Sequence, residues 1–424
     1  MTHMSDTPDT RLWAEFAAIC DCGGRQSGTA SERAAVALLD RLGRAATGVA
    51  PQVLETAYDG WRAIEASVTD AAGQVLPATA LLRSAPTPDD GLALELIDLG
   101  RGTAADFAAQ AGAIAGRAVM VRHELMFCAD TVHRRLKYGW ALAHGAAAFI
   151  IVGPDEGSSV AGSSGRGGEA GIPAIGIAPE TARQLLAGQA GPVPIRLTLL
   201  TEEAPALAPN LIFDMPGGSA DSLGDRKEWV VLSAHLDGHA LGESAIDNAS
   251  GCAVALAVAR ALAPGMAERR RGLRLAFFNV EEWALTGSAD YVARLSPQDR
   301  AAIALNVNLD SVAGGSRLTA LTSGFAGIEP MLQGCADRVG LPLGLHRPLQ
   351  RNSDHANFAE AGIPAFRLVA GFGEPEARTR HLLTRLDTRQ IVAPQALEEA
   401  RALAQAICET ALDAPPEDAA NWRA

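Results

Sequence analysis

Apolar and polar positions alternate regularly between strand-like and helix-like segments from residue 210 onward. Short runs such as WVVLSA and LRLAFFNV are apolar at nearly every position, which is typical of strands buried on both faces of a sheet. Longer amphipathic segments separate these runs, as in α/β proteins whose helices cover a mostly parallel sheet. The pattern predicts strands at 229–234, 273–280, 303–309, 317–322 and 365–370, and helices at 248–263, 288–295 and 388–412.

The first part of the chain has a different texture. Its periodicity predicts helices at 10–19 and 31–45, on either side of the glycine-rich loop CDCGGRQSGT. Residues 51–84 alternate only weakly between apolar and polar positions. They predict short strands, with turns at 58–60 and 71–74.

A compact satellite block follows, with borders near residues 92 and 203. The Pro- and Ala-rich stretch TEEAPALAP, which begins at Thr201, is typical of a linker at its end. The chain is therefore divided into residues 8–91, 92–203 and 204–424. Within the block the pattern predicts strands at 92–99, 117–122, 148–152, 173–178 and 194–201, and helices at 130–144 and 179–187.

Composition and charge narrow the classes of partner. The 424 residues are 48% hydrophobic and 20% charged, which is a globular composition. They carry 36 Lys and Arg against 49 Asp and Glu, a formal net charge of −13. Binding to phosphate backbones or to anionic lipid needs clustered positive charge. We therefore expect neither nucleic acid nor a membrane surface as the main partner.

Three further features predict a cytoplasmic protein. The longest apolar runs are too short to span a bilayer. The sequence MTHMSDTPDTRLWAEF has no basic segment followed by an apolar one, as a secretory signal would. The six cysteines are sparse and form no metal-binding cluster in the sequence, so we expect reduced thiols.

The candidate chemistry lies at the carboxyl ends of the predicted strands, where open α/β sheets bind ligands. His and carboxylate side chains suit zinc, and a carboxylate can bridge two ions. Two ions polarise a carbonyl and lower the pKa of a water molecule, and a further carboxylate can shuttle the proton. The candidate ligands and proton carriers are His235, Asp237, Asp247, Glu281, Glu282, Asp310 and His381.

Each of these residues alone has an ordinary structural explanation. Asp247 could cap the helix that follows it, and a pair of glutamates usually forms a solvated face. Five candidate ligands at successive strand ends are far better explained by a metal site. For His239, in the loop between His235 and Asp247, we favour a solvent-exposed position over a substrate contact.

Four motifs carry a resemblance to a known family. HLDGHALGESAIDNASG, VEEWALTGS, NLDSVAG and SDHANFAEAGIPAF resemble the co-catalytic zinc exopeptidases of metallopeptidase clan MH, of the aminopeptidase S and plasma glutamate carboxypeptidase types. The resemblance covers about residues 210–388, and GGRQSGTASE resembles the family's N-terminal segment. GRAVMVRH and AHGAAAFIIVG are similar to the protease-associated domain that several members insert.

The resemblance implies a fold and a domain arrangement. We expect a mixed, mostly parallel sheet covered by helices on both faces, with a smaller α+β protease-associated domain inserted into it. Residues 8–91 and 204–424 would form the catalytic domain, and residues 92–203 the insertion.

The resemblance also implies roles for the candidate residues. His235 and Glu282 would hold one zinc ion, Asp310 and His381 the other, and Asp247 would bridge the two. Glu281 would be the general base and acid, and Asp237 would orient His235. His381, in RHLLTRLDT, lies two residues further from Asp387 than the family's His-Thr-x-x-Asp-Thr pattern places its histidine.

The expected function is hydrolysis of a terminal peptide bond in short peptides, by an aminopeptidase or a dipeptidase with two zinc ions per chain. One alternative is an amidohydrolase on the same scaffold that cleaves a modified amino acid or an N-acyl compound. A non-catalytic receptor-like protein is a second alternative, disfavoured because the whole ligand set and Glu281 are present. The sequence leaves the oligomeric state open, and it does not say which end of the peptide is recognised.

Overall fold

A computed structural model describes residues 10–167, 171–187, 191–218 and 228–424. Fourteen strands in these ranges belong to one continuous mixed sheet. The strands are β1 Gln52–Thr69, β2 Val75–Pro77, β3 Thr79–Ala80, β4 Leu92–Asp98, β5 Ala118–Arg122, β6 Ala148–Val152, β7 Ala174–Ile177, β8 Val193–Met215, β9 Trp229–His235, β10 Gly272–Phe278, β11 Ile303–Leu309, β12 Leu318–Leu321, β13 Leu343–His346 and β14 Ala365–Ala370.

Thirteen α-helices in the same ranges cover the sheet, and short 3-10 or π turns link several of them. The helices are α1 Thr10–Cys20, α2 Ala30–Thr47, α3 Ala104–Ala109, α4 Ala111–Ile114, α5 Arg134–Ala143, α6 Pro179–Leu186, α7 Gly251–Leu262, α8 Thr286–Arg294, α9 Pro297–Ala302, α10 Glu329–Val339, α11 His355–Glu360, α12 Pro394–Asp413 and α13 Pro416–Asn421. The turns are Ala245–Ser250, Ala263–Glu268, Ala326–Ile328, Arg378–His381 and Arg389–Ile391.

One half of the sheet has the order β13-β12-β14-β11-β9-β10-β8. Strands β9, β10, β11 and β14 run parallel to one another. Every residue of β11 and of β14 is buried, which explains their unbroken apolar runs. Helices α1, α2, α7 and α12 pack on one face of this half. The predicted mixed, mostly parallel sheet is confirmed, as are the five strands predicted after residue 210.

The other half of the sheet has the order β8-β4-β5-β6-β7-β3; one of its faces joins the main apolar core, and the other belongs to a second cluster of buried residues. Strands β4, β5, β6 and β7 pair in parallel, and α5 contacts β6. The strands predicted near 92, 117, 148 and 173 are confirmed. This half corresponds to the satellite block of the sequence.

Two long strands join the halves. β8 pairs with β4 through its first residues and with β10 through its last residues. β1 runs antiparallel to β8 from Gln52↔Ile212 to Thr69↔Arg196. The turn predicted at 58–60 and the linker predicted from residue 201 are therefore wrong, because both stretches are paired strand. Continuous cross-strand pairing outweighs the local preference of Gly60 and Pro205 for turns.

The helix predicted at 248–263 is present with a different start. A π turn over Ala245–Ser250 leads into α7, and the last predicted helix begins at Pro394 rather than at residue 388. The segment Ala245–Glu268 is long and apolar enough to cross a membrane by composition, and 72% of its most apolar stretch is buried inside the protein. Core helices of globular proteins share that composition.

Candidate metal centre

Five of the predicted site residues meet at the carboxyl ends of neighbouring parallel strands. His235 is the last residue of β9, Glu281 and Glu282 follow β10, and Asp310 follows β11. Asp247 reaches the same place from the turn that precedes α7. All five are buried, and His235, Glu281 and Asp310 offer ligand atoms within 4.8 Å of one another.

The His235 imidazole lies between carboxylates. Its Nε2 is 3.0 Å from Asp247 Oδ1 and 3.5 Å from Asp310 Oδ1. Burial disfavours the charged imidazole, but Glu281 and Asp310 raise the pKa of His235 well above its usual value. These contacts group His235 with Asp310. They do not favour the predicted division, in which Asp310 was assigned to the other ion.

Asp237 supports the site in a way that the sequence did not predict. His235 Nδ1 contacts the backbone carbonyl of Asp237 at 3.1 Å, whereas the Asp237 carboxylate is 3.6 Å from that nitrogen. This carboxylate accepts hydrogen bonds from the backbone N–H groups of Glu281, at 3.1 Å, and Glu282, at 3.2 Å. Asp237 therefore ties the end of β9 to the paired glutamates.

Asp310 is kept ionised by a buried ion pair. Burial alone would raise the pKa of Asp310, but the Arg367 guanidinium and His235 hold it below its usual range. Arg367 Nη2 lies 3.1 Å from Asp310 Oδ1, and both side chains are 2% exposed. Asp310 is thus available as an anionic ligand.

Glu281 and Glu282 have the opposite electrostatics. Burial raises the pKa of Glu281 well above its usual value, against the influence of His235. Burial and the nearby charge of Asp247 raise the pKa of Glu282 to about 8. The Oε1 atom of Glu282 is buried without a hydrogen-bond partner among the described residues. A cation would satisfy this oxygen and relieve the repulsion, so the donor set fits a metal ion.

The loop that carries Asp247 is held by a second buried carboxylate. Asp387 accepts hydrogen bonds from the backbone N–H of Ile246, at 2.7 Å, and of Asp247, at 3.2 Å. Asn248 follows through a cis peptide bond and donates to Leu309 O at 2.9 Å. Burial raises the pKa of Asp387 to about 7.

The glycine-rich loop near the N-terminus contributes residues that sequence reasoning missed. The buried Arg25 guanidinium donates to the backbone carbonyls of Leu236, Glu243 and Ser244, at 3.0, 2.7 and 2.7 Å. Ser27 Oγ lies 3.2 Å from Asp237 Oδ2. The only signal in the sequence was the motif GGRQSGTASE, which shows that the loop matters but not what it contacts.

His381 is not brought to this cluster. It does not line the cavity, and its Nδ1 lies 3.0 Å from Asp155 Oδ2 of the satellite half, without the alignment of a hydrogen bond. Leu383, two residues later, lines the cavity instead. Contacts of the loop with the satellite half direct the His381 side chain toward Asp155, so this geometry does not support its predicted place in the ligand set, which stays a prediction.

Two other histidines lie in the core. His239 is fully buried, so its predicted solvent exposure is wrong. His355, in the SDH motif, is fully buried as well, and burial lowers the pKa of each to about 3. Neither ring nitrogen of either residue has a hydrogen-bond partner among the described residues.

A cavity that opens to solvent lies above the cluster. Its walls come from both halves of the sheet, and the satellite half contributes Met126, Phe127, His133, Arg134 and Arg135. Arg134 is the first residue of α5 and is 6% exposed. Burial lowers the pKa of Arg134 to about 10, while the charge of Glu282 favours its ionised form.

The fold and the site together define a class of protein. A buried imidazole and buried carboxylates converge at the carboxyl ends of parallel strands, beside a cavity that opens to solvent. This is a metal-binding α/β protein with the side chains needed for hydrolysis.

Comparison with known families gives the assignment. Residues 210–408 match the model of Peptidase family M28, and residues 80–185 match that of the PA domain. These two matches support a zinc exopeptidase of the M28 type with an inserted PA domain. The PA match starts 12 residues before the predicted block 92–203 and ends 18 residues before the end of that block. The three-part division of the chain stays a prediction.

Curated relatives agree with this assignment. Aminopeptidase YwaD of Bacillus subtilis is 28% identical over 78% of this chain and 69% of its own length. Leupeptin-inactivating enzyme 1 of Streptomyces exfoliatus is 30% identical over 38% of this chain, and the probable lipoprotein aminopeptidase LpqL of Mycobacterium tuberculosis is 29% identical over 54%. These matches span only 36% and 47% of the lengths of the latter two proteins.

Solved structures share the fold over nearly the whole chain. The zinc aminopeptidase BSAP from Bacillus subtilis superposes with a TM-score of 0.75 and 25% identity, over 97% of this chain and 98% of the other. A peptidase M28 precursor from Shewanella amazonensis gives a TM-score of 0.78 at 20% identity, over 96% and 94% of the two chains.

Proposed function

We propose that this protein is a zinc-dependent aminopeptidase that removes the amino-terminal residue of short peptides. The observation that carries the proposal is the buried cluster of His235, Asp247, Glu281, Glu282 and Asp310 beside an open cavity. Two similar proteins, YwaD and BSAP, are aminopeptidases by name, and BSAP is described as a zinc enzyme. Peptides are accordingly the proposed substrate class.

His235 Nε2 lies close to both Asp247 and Asp310, at 3.0 and 3.5 Å, whereas Glu282 is related to Asp247 by the nearby charge that helps raise its pKa. Zinc, when bound here, would polarise the peptide carbonyl and lower the pKa of a water molecule. The sequence predicts two ions. The unpartnered Glu282 oxygen favours positive charge beside it, and the place of His381 leaves a second ion without that imidazole.

Glu281 is the proposed proton carrier. Its backbone is fixed by Asp237, and its side chain lines the cavity. It would accept the proton released by the attacking water and return it to the nitrogen of the departing amine. A raised pKa suits a carboxylate that must both take up and give back a proton near neutral pH.

A digestion panel tests the proposal. Free di- and tripeptides, their N-acetylated forms and their C-terminally amidated forms are incubated with the zinc-loaded protein, and products are identified by mass spectrometry. An aminopeptidase releases the first residue from the free and amidated peptides and leaves the acetylated ones intact. Cleavage that needs the free carboxylate instead assigns a carboxyl-end enzyme, and cleavage of N-acyl compounds alone assigns an amidohydrolase.

The cytoplasmic location and the oligomeric state are not part of this support. All six cysteines are free, which does not identify a compartment. The cytoplasmic location stays a prediction from the sequence, to be tested by cell fractionation. Sedimentation of the purified chain would give its oligomeric state.

A further inference from the structure

The positions at His235 and at Glu282 are unequally supplied with ligands. His235 Nε2 lies 3.0 Å from Asp247 Oδ1 and 3.5 Å from Asp310 Oδ1, and Glu281 also offers an oxygen within 4.8 Å of the ligand atoms of His235 and Asp310, so the position at His235 is well supplied. Glu282 also lines the cavity and has an unpartnered oxygen, and the imidazole in the described part of the cavity wall, His133, accepts a hydrogen bond from Arg135 N at 3.2 Å through its Nδ1. Zinc in catalytic sites usually takes three protein ligands. The first position meets that number and the second does not.

The loop that could supply another ligand presents an apolar wall. Leu383 lines the cavity, and its carbonyl accepts a hydrogen bond from Ala161 N at 2.7 Å. Its φ of 63° is in the left-handed region, which leucine adopts rarely and histidine more often. Arg380 Nη2 lies 3.0 Å from Asp155 Oδ1, so the turn that carries His381 is also tied to the satellite half.

A fixed positive charge acts on the poorly supplied position. Arg134 is buried, and its Nε donates to Ser163 O at 2.8 Å while its Nη1 lies 3.4 Å from Met126 Sδ. No ion pair within 4.0 Å is found for Arg134 in the described part of the chain. Its positive charge nevertheless interacts electrostatically with the carboxylates of Glu282 and Asp247. A metal ion placed beside Glu282 would be repelled by this guanidinium.

We propose that the centre holds one tightly bound metal ion, at His235, Asp247 and Asp310, and that Arg134 supplies the positive charge that a second ion would bring opposite Glu282. The inference rests on the proposed function only in taking the metal to be zinc. It makes a PA-domain arginine part of the charge balance of the catalytic cavity.

Metal content tests the first half of the proposal. The full-length protein is loaded with excess zinc, passed through a desalting column in metal-free buffer, and analysed by inductively coupled plasma mass spectrometry. We expect one zinc per chain in the wild type and none in His235→Ala. Two zincs per chain in the wild type, or none, would overturn the proposal.

Variants of the loop test the role of the wall. Leu383→His adds an imidazole where the backbone already suits histidine, and we expect it to retain two zincs per chain. Leu383→Phe, which adds bulk without a ligand, and His381→Ala are the controls and should each retain one. If the histidine variant is folded by circular dichroism and still holds one zinc, or if His381→Ala loses its zinc, the proposal is wrong.

Arg134→Gln tests the charge. Removing this guanidinium should tighten binding of a second, weak zinc by about tenfold or more, as measured by titration calorimetry of the singly loaded protein. Arg135→Gln is the matched control, because Arg135 lines the same cavity but is less buried. Equal zinc affinities in the two variants would contradict the assignment of Arg134.

These measurements are made without substrate, so they are independent of the digestion panel. One zinc per chain in a protein that cleaves no peptide would sustain this inference and remove the proposed function. Two zincs per chain in an active aminopeptidase would support the proposed function and overturn this inference.

Discussion

Two carboxylates of one cavity, Glu281 and Asp310, have pKa values shifted in opposite directions. Both are buried, and burial alone favours the neutral form. Asp310 has a guanidinium partner, Arg367 Nη2, at 3.1 Å, which keeps it anionic. Glu281 has no such ion pair in the described part of the chain, and burial raises its pKa. The neighbours of each carboxylate therefore suit Asp310 to ligation and Glu281 to proton transfer.

Glu281→Gln should keep its zinc and lose activity. The amide preserves the shape of the side chain but cannot accept a proton, and loss of a general base typically costs about a hundred- to ten-thousand-fold in rate. Turnover of a free tripeptide and zinc content are measured on the same preparation. Near-normal turnover would show that another group carries the proton.

Asp247→Ala should lose metal affinity. Its carboxylate lies 3.0 Å from His235 Nε2, closer than that of Asp310 at 3.5 Å. Zinc titration monitored by calorimetry measures the loss. An affinity equal to that of the wild type would remove Asp247 from the ligand set.

At the scale of the element, the accuracy of the sequence-based prediction depends on burial. β11 and β14 are buried at every residue, and their short, unbroken apolar runs are typical of strands inside a sheet. β1 and β8 are largely exposed along their middle portions, so nothing in the local pattern distinguishes them from loops. Their pairing depends on partners more than a hundred positions away in the chain.

The same limit applied to the loop after β14. Spacing alone could show that a histidine was near the site, but it could not show which of His381 and Leu383 faces the cavity. That choice is made by contacts with residues from another part of the sequence, Asp155 and Ala161. By contrast, His235 ends a buried strand and Asp310 directly follows one, while Glu281 and Glu282 come three and four positions after a third. Sheet geometry brings these residues together.

Packing of helix α2 on β8 predicts the effect of one methyl group. A Cβ atom at Gly43 would come within 2.2 Å of the buried Phe213 ring, so Gly43→Ala should lower the free energy of unfolding by about 1–3 kcal/mol. Gly139, inside helix α5, would meet no atom within 4 Å.

Gly139→Ala is the matched control for that change and should stabilise the protein by about 0.5–1 kcal/mol, because alanine loses less backbone entropy in a helix. Urea unfolding followed by circular dichroism measures both variants. If Gly43→Ala leaves the free energy of unfolding unchanged, Phe213 must move aside at no energetic cost.

At the scale of the whole molecule, metal binding and folding are linked, because the ligands come from separate segments that only the folded chain brings together. Removing zinc with a chelator should lower the unfolding temperature by several degrees. Zinc at a hundred times its dissociation constant contributes about 2.7 kcal/mol. His235→Ala should unfold at the same temperature with or without the chelator. If the chelator leaves the unfolding temperature of the wild type unchanged, zinc does not bind at this site.

The two long strands that join the halves of the sheet have a consequence for cooperativity. β8 belongs to the hydrogen-bonded ladders of both halves, and β1 pairs with it along nearly all its length, with one register shift between Ala63 and Glu65. If either half of the sheet unfolded, the neighbouring strand of the other half would lose its hydrogen bonds to β8. Calorimetry should therefore record one heat-absorption peak, with the PA half and the catalytic half denaturing together.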